Sequence, residues 1–232
     1  YVKPTYEANS NVCDDDSVYF TITVNPKVGM ETPDNQSICH GSAITAVNFS
    51  SDLTGGDITY TWRRTNSNID GLDMSGTGNI PTTVLTNTTN RVQVDTIYVK
   101  PTYEANSNVC DDDSVFFTIT VNPKVGMETP DNQSICHGSA ITAVNFSSDL
   151  TGGDITYTWR RTNSNIDGLD MSGTGNIPTT VLTNTTNRVQ VDTIYVKPTY
   201  EANSNVCDDD SVYFTITVNP KVGMETPDNQ SI

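Results

Sequence analysis

Alternating hydrophobic and polar residues predict β-strands along this chain. Between Val18 and Val24 the even positions are apolar and the odd positions hold tyrosine or threonine, as expected for a strand with one buried face. Four later segments are short, rich in β-branched and aromatic residues, and bounded by Gly, Asn, Asp or Pro: Val47–Ser50, Ile58–Arg63, Val92–Val99 and Val115–Val121. No helical pattern competes with them, so we predict an all-β fold.

The same alternation assigns side chains to the two faces of each strand. Ile58, Tyr60 and Trp62 share one face, and we expect the indole of Trp62, like that of Trp159, to fill a core. Tyr19 falls on the outer face of its strand, where a change of side chain should cost little stability.

The chain is a tandem repeat, because residues recur 97 positions later along its whole length. The one exception is the position of Tyr19, which becomes Phe116 and then Tyr213. A unit of this size can bury one small core, so each unit should be a complete domain. We predict tandem Ig-like β-sandwiches arranged as beads on a string. The expected boundaries are 1–26 for the last strands of one unit, 27–123 and 124–220 for two complete units, and 221–232 for the start of another.

The charge distribution excludes some partners. The formal net charge is −16, and the period Cys39–Ile135 holds eleven acidic and five basic residues. Nucleic acid and anionic membranes are therefore poor partners. No apolar run reaches the roughly 18 residues needed to span a bilayer, so we expect no membrane insertion in this part of the protein.

The cysteines occur twice per unit, and Cys13 is left over. Cys39 could bond to Cys110 within a unit or to Cys13 across a junction. The strand after Cys13 would hold the second pair roughly 30 Å apart, whereas closing the loop to Cys110 would stabilise the unit by about 4 kcal/mol. We predict Cys39 with Cys110 and Cys136 with Cys207, and Cys13 unpaired because its unit is truncated. Regular pairing indicates an oxidising, extracellular or cell-surface location.

Four segments carry a resemblance to a known family. They are the Asn-Gln-Ser-Ile-Cys-His-Gly opening at Asn35, the Gly-Thr-Gly-Asn-Ile-Pro stretch at Gly76, the loop at Cys110, and the close Phe117–Pro123. Together they make the unit resemble the PKD-like, Ig-superfamily repeats of giant surface and secreted proteins of Bacteroidota. The resemblance implies export through the type IX route and a role in adhesion, gliding-related display or fibre building.

Catalysis is not expected. His40 and His137 each stand alone beside a cysteine, so neither completes a catalytic dyad, and no second pair stands at zinc-ligand spacing. We predict no enzyme activity and no required cofactor.

Calcium is the one metal worth predicting, because clustered carboxylates suit a hard cation. The candidates are Asp111, Asp112 and Asp113, with Asp14, Asp15 and Asp16 as an earlier copy. The spacing of an EF-hand is absent, and the alternative is a solvated acidic loop.

A second candidate modification is O-glycosylation. An Asp followed by Ser or Thr and then an aliphatic residue resembles the acceptor signal used in Bacteroidota. The acceptors would be Ser17, Thr96, Ser114, Thr193 and Ser211. The alternative is that these are ordinary strand residues. N-linked patterns at Asn35, Asn48 and Asn87 are expected by chance alone.

These observations favour a structural role. We expect an extracellular fibre, or the extender of a surface adhesin, whose partners are neighbouring repeats or copies of itself. One alternative is an adhesive module that binds glycans or other cells, for which Tyr98 and Tyr103 are the residues to inspect. Another is a passive stalk that presents a distal tip domain.

Overall fold

The computed structural model describes residues 1–53, 57–105, 108–151, 154–202, 205–224 and 227–230. Every regular element in these ranges is a β-strand, so the prediction of an all-β fold is confirmed. The described residues include no helix long and apolar enough to cross a membrane. The incomplete first unit forms a hairpin of β1 (Thr5–Ala8) and β2 (Asn11–Asp14), whose turn at Asn9 and Ser10 has positive φ.

The two complete units have the same strands. Those of the first unit are β3 (Gln36–Ile38), β4 (Asp57–Arg64), β5 (Ile69–Asp70), β6 (Ser75–Thr77), β7 (Thr86–Asn87), β8 (Gln93–Ala105), β9 (Asn108–Asp111) and β10 (Val115–Val121). Those of the second unit are β11 (Gln133–Ile135), β12 (Asp154–Arg161), β13 (Ile166–Asp167), β14 (Ser172–Thr174), β15 (Thr183–Asn184), β16 (Gln190–Ala202), β17 (Asn205–Asp208) and β18 (Val212–Val218). The described residues after Lys221 contain no strand.

Each unit is a sandwich with one regular and one irregular layer. In the first unit the regular sheet has the order β3-β10-β8-β4-β6, and β9 pairs with the far end of β8. Among the described strands of this unit, only β3 and β10 pair in parallel. The opposite layer consists of the β5–β7 pair and two isolated bridges, Ala43 with Val84 and Val47 with Ile80. The predicted strand Val47–Ser50 is therefore wrong, because this layer makes single contacts instead of a ladder.

The central strand β8 runs beyond its predicted end at Val99, through Pro101, as far as Ala105. On one edge it pairs with β10 up to Val99 and with β9 from Thr102. Pro101 thus falls where the partner strand changes, and its carbonyl accepts a hydrogen bond from Asp112 on that edge. The N–H that proline lacks would have pointed into this gap, so the ladder tolerates the residue.

The core lies between the two layers and matches the predicted faces. In β10 the side chains of Phe117, Ile119 and Val121 are buried, whereas Phe116 is 59% exposed. The varying position therefore lies on the outer face, as predicted. The equivalent residues Val18–Val24 are exposed and form only a bridge between Val18 and Val2, so the predicted strand is absent in this copy, where the described residues before Val18 supply only a hairpin.

Trp62 fills the core as predicted, and a glycine makes room for it. The indole is 7% exposed and packs in the main apolar cluster of its unit. A Cβ on Gly76 of β6 would lie 2.4 Å from a ring carbon of Trp62. Gly173 and Trp159 repeat this contact in the second unit. Gly76, in the Gly-Thr-Gly stretch, therefore leaves the space that the indole ring of Trp62 occupies.

Candidate functional site at the junction between units

The disulfide joins the two complete units instead of closing either one. Cys39, just after β3, bonds to Cys207 in β17, 168 positions away. Both predicted pairings, Cys39 with Cys110 and Cys136 with Cys207, are therefore wrong. Among the described residues Cys13, Cys110 and Cys136 carry no disulfide.

The register of β3 explains the correction. β3 pairs with the last three residues of β10, so Cys39, which follows Ile38, lies at the end of the sheet where the chain leaves the unit. Cys110 pairs instead with Tyr103, ten positions along β8 from the partner of Val121, which corresponds to about 33 Å. The two cysteines of one unit therefore lie at opposite ends. The β16–β17 hairpin of the second unit lies at the end of that unit that faces the first unit, and its Cys207 forms the bond to Cys39.

The residues around this bond form a small apolar core of their own. Val125, Tyr200 and Cys207 are 2%, 0% and 2% exposed. The partly buried residues around them come from both units: Cys39, Val92, Leu150, Ile155 and Ala202. Burying a tyrosine and a valine side chain contributes about 1.5–3 kcal/mol for each residue. The junction is thus an apolar interface with the linker residue Val125 at its centre.

The linker itself is packed. Pro123 and Val125 are buried, and Met127 packs against the core of the second unit. The carbonyl of Gly126 accepts a hydrogen bond from Ser148 Oγ at 2.5 Å. A linker held in this way differs from a flexible, solvated one, so the angle between units is set by side-chain contacts.

Polar contacts surround the apolar centre. Asn205 Nδ2 donates to Ser37 Oγ at 2.6 Å, and Asn90 Nδ2 donates to the carbonyl of Asp149 at 3.2 Å. Each of these bonds joins one unit to the other. Lys124 Nζ in the linker lies 3.6 Å from Asp209 Oδ2, beside the hairpin. These directional contacts fix the rotation of one unit against the next.

Equivalent contacts are present at the earlier junction, where residues 1–26 meet the first complete unit. Asn25 Nδ2 lies 3.5 Å from Cys110 Sγ, as Asn122 Nδ2 lies 3.6 Å from Cys207 Sγ. Lys27 Nζ lies 3.3 Å from Asp112 Oδ1, equivalent to the Lys124 pair of the later junction. Val28 is buried there too. The β8–β9 hairpin therefore has the same linker contacts as the β16–β17 hairpin, without the cover that Cys39 and Val92 give to the latter.

The predicted calcium ligands have other partners. Asp111 Oδ2 accepts from Lys100 Nζ at 2.6 Å, and its Oδ1 accepts from Thr102. These hydrogen bonds, that from Lys100 above all, hold the pKa of Asp111 below its ordinary value. Asp112 Oδ1 accepts from the amide of Asp113 at 2.7 Å.

The earlier copy behaves alike. Asp14 pairs with Lys3, and Asp15 accepts from the amide of Asp16. In the part of the chain that the structure describes, no three His, Cys, Asp or Glu side chains are grouped so that they could hold a metal ion. Calcium binding at these loops stays a prediction.

The predicted glycosylation sites divide into two kinds. Ser17, Ser114 and Ser211 are all exposed, and Ser114 and Ser211 lie just before β10 and β18. Thr96 and Thr193 are half-buried within paired strands, β8 and β16. Glycosylation stays a prediction, and the three serines are the more accessible acceptors.

The aspartate before Thr96 has a structural role that the sequence did not reveal. Asp95 Oδ2 lies 2.6 Å from Arg64 Nε, and both side chains are buried. Asp95 also accepts from the amides of Thr65 and Asn66, while Arg64 donates to the carbonyls of Asn66, Ile69 and Leu72. The pair therefore fixes the loop after β4. Only its recurrence as Arg161 and Asp192 could have been noticed beforehand.

The histidines contact the backbone of a neighbouring strand in the same unit. His40 Nδ1 lies 3.0 Å from the carbonyl oxygen and 3.2 Å from the amide nitrogen of Asn87. Asn87 itself is buried, and its Nδ2 donates to the carbonyls of Arg91 and Val121. These contacts give His40, and His137 in the second unit, a structural role.

The comparison with protein families agrees with the observed fold. A family model described as PKD-like domain matches residues 36–125 and 133–222. No curated protein matches the chain. Among solved structures, three N-terminal domains of the outer capsid protein Hoc of bacteriophage RB49 align with 10% identity and a TM-score of 0.44, covering 84% of this chain and 71% of that one.

Two further structures align more loosely. The human desmocollin-1 ectodomain aligns with 11% identity and a TM-score of 0.41, covering 87% of this chain and 43% of that one. BT4661, a SusE-like surface-located polysaccharide-binding protein of Bacteroides thetaiotaomicron, aligns with 10% identity and a TM-score of 0.29, covering 84% and 34%. At these scores the likenesses carry no argument about function.

Proposed function

The chain belongs to the PKD-like domain family, and we propose that its tandem units form a stiff extracellular fibre or the extender of a surface adhesin. The proposed role is mechanical. Each unit acts as a spacer, and each junction fixes the direction of the next unit. The 13 residues of β8 give each unit a length of about 40 Å. Identical units joined at identical angles follow a helical path.

The observation that carries the proposal is the packed junction. Independent domains on a string need only a solvated linker, and their interfaces are small and polar. Here Val125 is buried between units, Tyr200 closes over it, and a disulfide crosses the interface. A passive tether has no use for such contacts, whereas an extended rod depends on them.

An oxidising, extracellular location belongs to the proposal. The interdomain disulfide supports it, because such bonds persist in secreted and surface proteins. The charge of −16 supports the array itself, since it keeps crowded identical units soluble. We propose a cell surface of Bacteroidota and export through the type IX route on the family resemblance.

The adhesive alternative receives less support from the two tyrosines that suggested it. Tyr103 is only 7% exposed and lies at a junction. Tyr98 is covered by Arg63, whose guanidinium carbon is 4.5 Å from the ring centroid, and it packs against Phe116. Ligand-stacking aromatics would have to be exposed. Neighbouring repeats or other copies of the protein are the partners that we propose.

Electron cryomicroscopy of material sheared from the cell surface tests the proposal. We expect filaments with a bead spacing of about 40 Å and a constant angle between beads, since β-strand length sets the first and the junction sets the second. Flexible strings that end in a distinct tip would overturn it and favour a passive stalk.

A further inference from the structure

We propose that Cys110 and Cys136 belong to a disulfide ladder, in which the first cysteine of every unit bonds to the hairpin cysteine of the next. The inference rests on the proposed function, because it needs an array of units. Cys39 with Cys207 is one such bond. In the ladder Cys110 bonds to the first cysteine of the preceding unit, and Cys136 bonds to the hairpin cysteine of the following one.

The environment of Cys110 supports the first half. Its sulfur has the asparagine neighbour that the bonded Cys207 has, Asn25 in place of Asn122. The adjacent lysine contact, Lys27 to Asp112, is also formed. This end of the first unit is therefore arranged as its bonded counterpart is. The missing element is the body of a preceding unit that brings a cysteine.

The environment of Cys136 supports the second half. In the first unit Cys39, Ser37 and Val92 are partly covered by the hairpin of the second unit. Their counterparts in the second unit, Cys136, Ser134 and Val189, are all exposed. The second unit therefore presents the surface that the first unit has already used. Its occupant is the hairpin end of a further unit of the same sequence.

Bond formation follows ordinary thiol–disulfide exchange. The two thiols lose two protons and two electrons and form one S–S bond, and the disulfide of an extracytoplasmic oxidoreductase is reduced to a dithiol. The proximity of the two sulfurs selects the partner.

The ladder would make the fibre nearly inextensible. The hairpin cysteine of one unit and the first cysteine of the next are 26 positions apart, as Cys13 and Cys39 are. From that first cysteine, the disulfide leads to the hairpin cysteine of the unit that follows. The shortest covalent path therefore crosses two folded units with only 26 residues of chain. Fully extended, that path spans about 90 Å, close to the roughly 80 Å of two folded units. Bonds within units would instead permit about 90 Å for every single unit.

Peptide mapping under non-reducing conditions tests the pairing, and the Phe116 position provides a label. Trypsin yields the same first-cysteine peptide from Val28–Arg63 and its copy. The hairpin peptides differ: Val92–Lys124 holds Phe116, whereas Val189–Lys221 holds Tyr213. In the present chain we expect the first-cysteine peptide to be bonded to the tyrosine form, and the phenylalanine form to be alkylated by iodoacetamide. A phenylalanine form bonded in monomers of this chain would overturn the ladder.

A chain lengthened by one unit at each end, with tyrosine in both added copies, completes the test. The ladder predicts that the phenylalanine form becomes bonded to a first-cysteine peptide and that the number of alkylated thiols stays at three. Pairing within units predicts one alkylated thiol in both chains. A phenylalanine form that stays alkylated in the longer chain, or is bonded only in dimers, would overturn the proposal. Neither result depends on whether the cells make filaments.

Pulling single molecules of the lengthened chain measures the consequence. Before reduction we expect unfolding events between the bonded cysteines to add almost no contour length. After reduction each unit should add roughly 300 Å. Large extensions before reduction would overturn the ladder, and a variant with every cysteine changed to serine is the control for folding without bonds.

Discussion

The two junctions of this chain have the same sequence but different neighbours, and the difference separates what the linker contributes from what the preceding unit contributes. At the later junction Cys207 is 2% exposed and bonded. At the earlier one Cys110 is partly buried and unbonded. The contacts of the linker residues Asn25 and Lys27 with Cys110 and Asp112 are nevertheless present there. The linker thus positions the hairpin, and the body of the preceding unit completes the site.

The hairpin tyrosine makes the same comparison over three copies. Tyr6 is 71% exposed, Tyr103 is 7% exposed and Tyr200 is fully buried. Around Tyr6 the described residues form only the β1–β2 hairpin and the bridge between Val2 and Val18. A residue of constant sequence therefore passes from the surface to a core as its surroundings are completed. Burial in an array of this kind is a property of the junction as much as of the unit.

The largest expected effect comes from removing the disulfide. The bond closes a loop of 168 positions, which in the chain-entropy model stabilises the folded state by about 5 kcal/mol. Cys39→Ser should lower the free energy of unfolding by up to that amount in urea titrations under oxidising conditions. Cys110→Ser is the matched control and should change little, since its sulfur is not bonded. Equal losses in the two variants would contradict the interdomain bond.

The next largest effect concerns the hairpin tyrosines. Truncating a buried aromatic side chain costs about 3–5 kcal/mol, so we expect Tyr200→Ala to destabilise the second unit by that much. Tyr103→Ala should cost less, because only residues 1–26 of the preceding unit stand at its junction in this chain, and Tyr6→Ala should have almost no effect. Urea unfolding followed by tryptophan fluorescence measures all three, since Trp62 and Trp159 report on the two units. A loss in Tyr6→Ala as large as in Tyr200→Ala would contradict this order.

The strands that could be predicted were those whose information is local. The limits of β10 match the prediction at both ends, because alternation continues through the whole strand. Trp62 was identified as a core residue for the same reason. Val47–Ser50 has similar composition, yet it forms only one bridge, because the opposite layer gives it no continuous partner.

The pairing of the cysteines could not be predicted from local pattern. It depends on which end of β10 the short strand β3 pairs with, and that register decides at which end of the unit Cys39 lies. One signal in the sequence was available, however. Val125 and Val28 are apolar residues in a linker bounded by prolines, and a solvated linker has no reason to keep them. These two valines therefore indicated that the linker is buried between units.

The ion pair at the junction is expected to matter much less than its apolar centre. Lys124 and Asp209 are 3.6 Å apart, and the lysine side chain is 63% exposed. Exposed pairs of this kind contribute about 0–1 kcal/mol. Lys124→Ala should therefore leave the unfolding free energy within that range, and Lys27→Ala at the earlier junction should match it. A loss above 2 kcal/mol at Lys124 alone, on the order of a buried contact, would show that the preceding unit strengthens the pair.

Calcium should have the smallest effect, and it tests whether either junction needs an ion to stiffen it. Asp111 accepts hydrogen bonds from Lys100 and Thr102, and Asp112 accepts one from the amide of Asp113, so both carboxylate oxygens of Asp111 and one of Asp112 already have donors. A ligand that binds only the folded state would raise its stability by mass action. We expect the melting temperature to be the same in excess EDTA and in millimolar calcium. A rise with calcium that is lost in Asp111→Asn would instead place a cation beside the hairpin, and the stiffness of the array would then depend on that cation as well as on the packed linker.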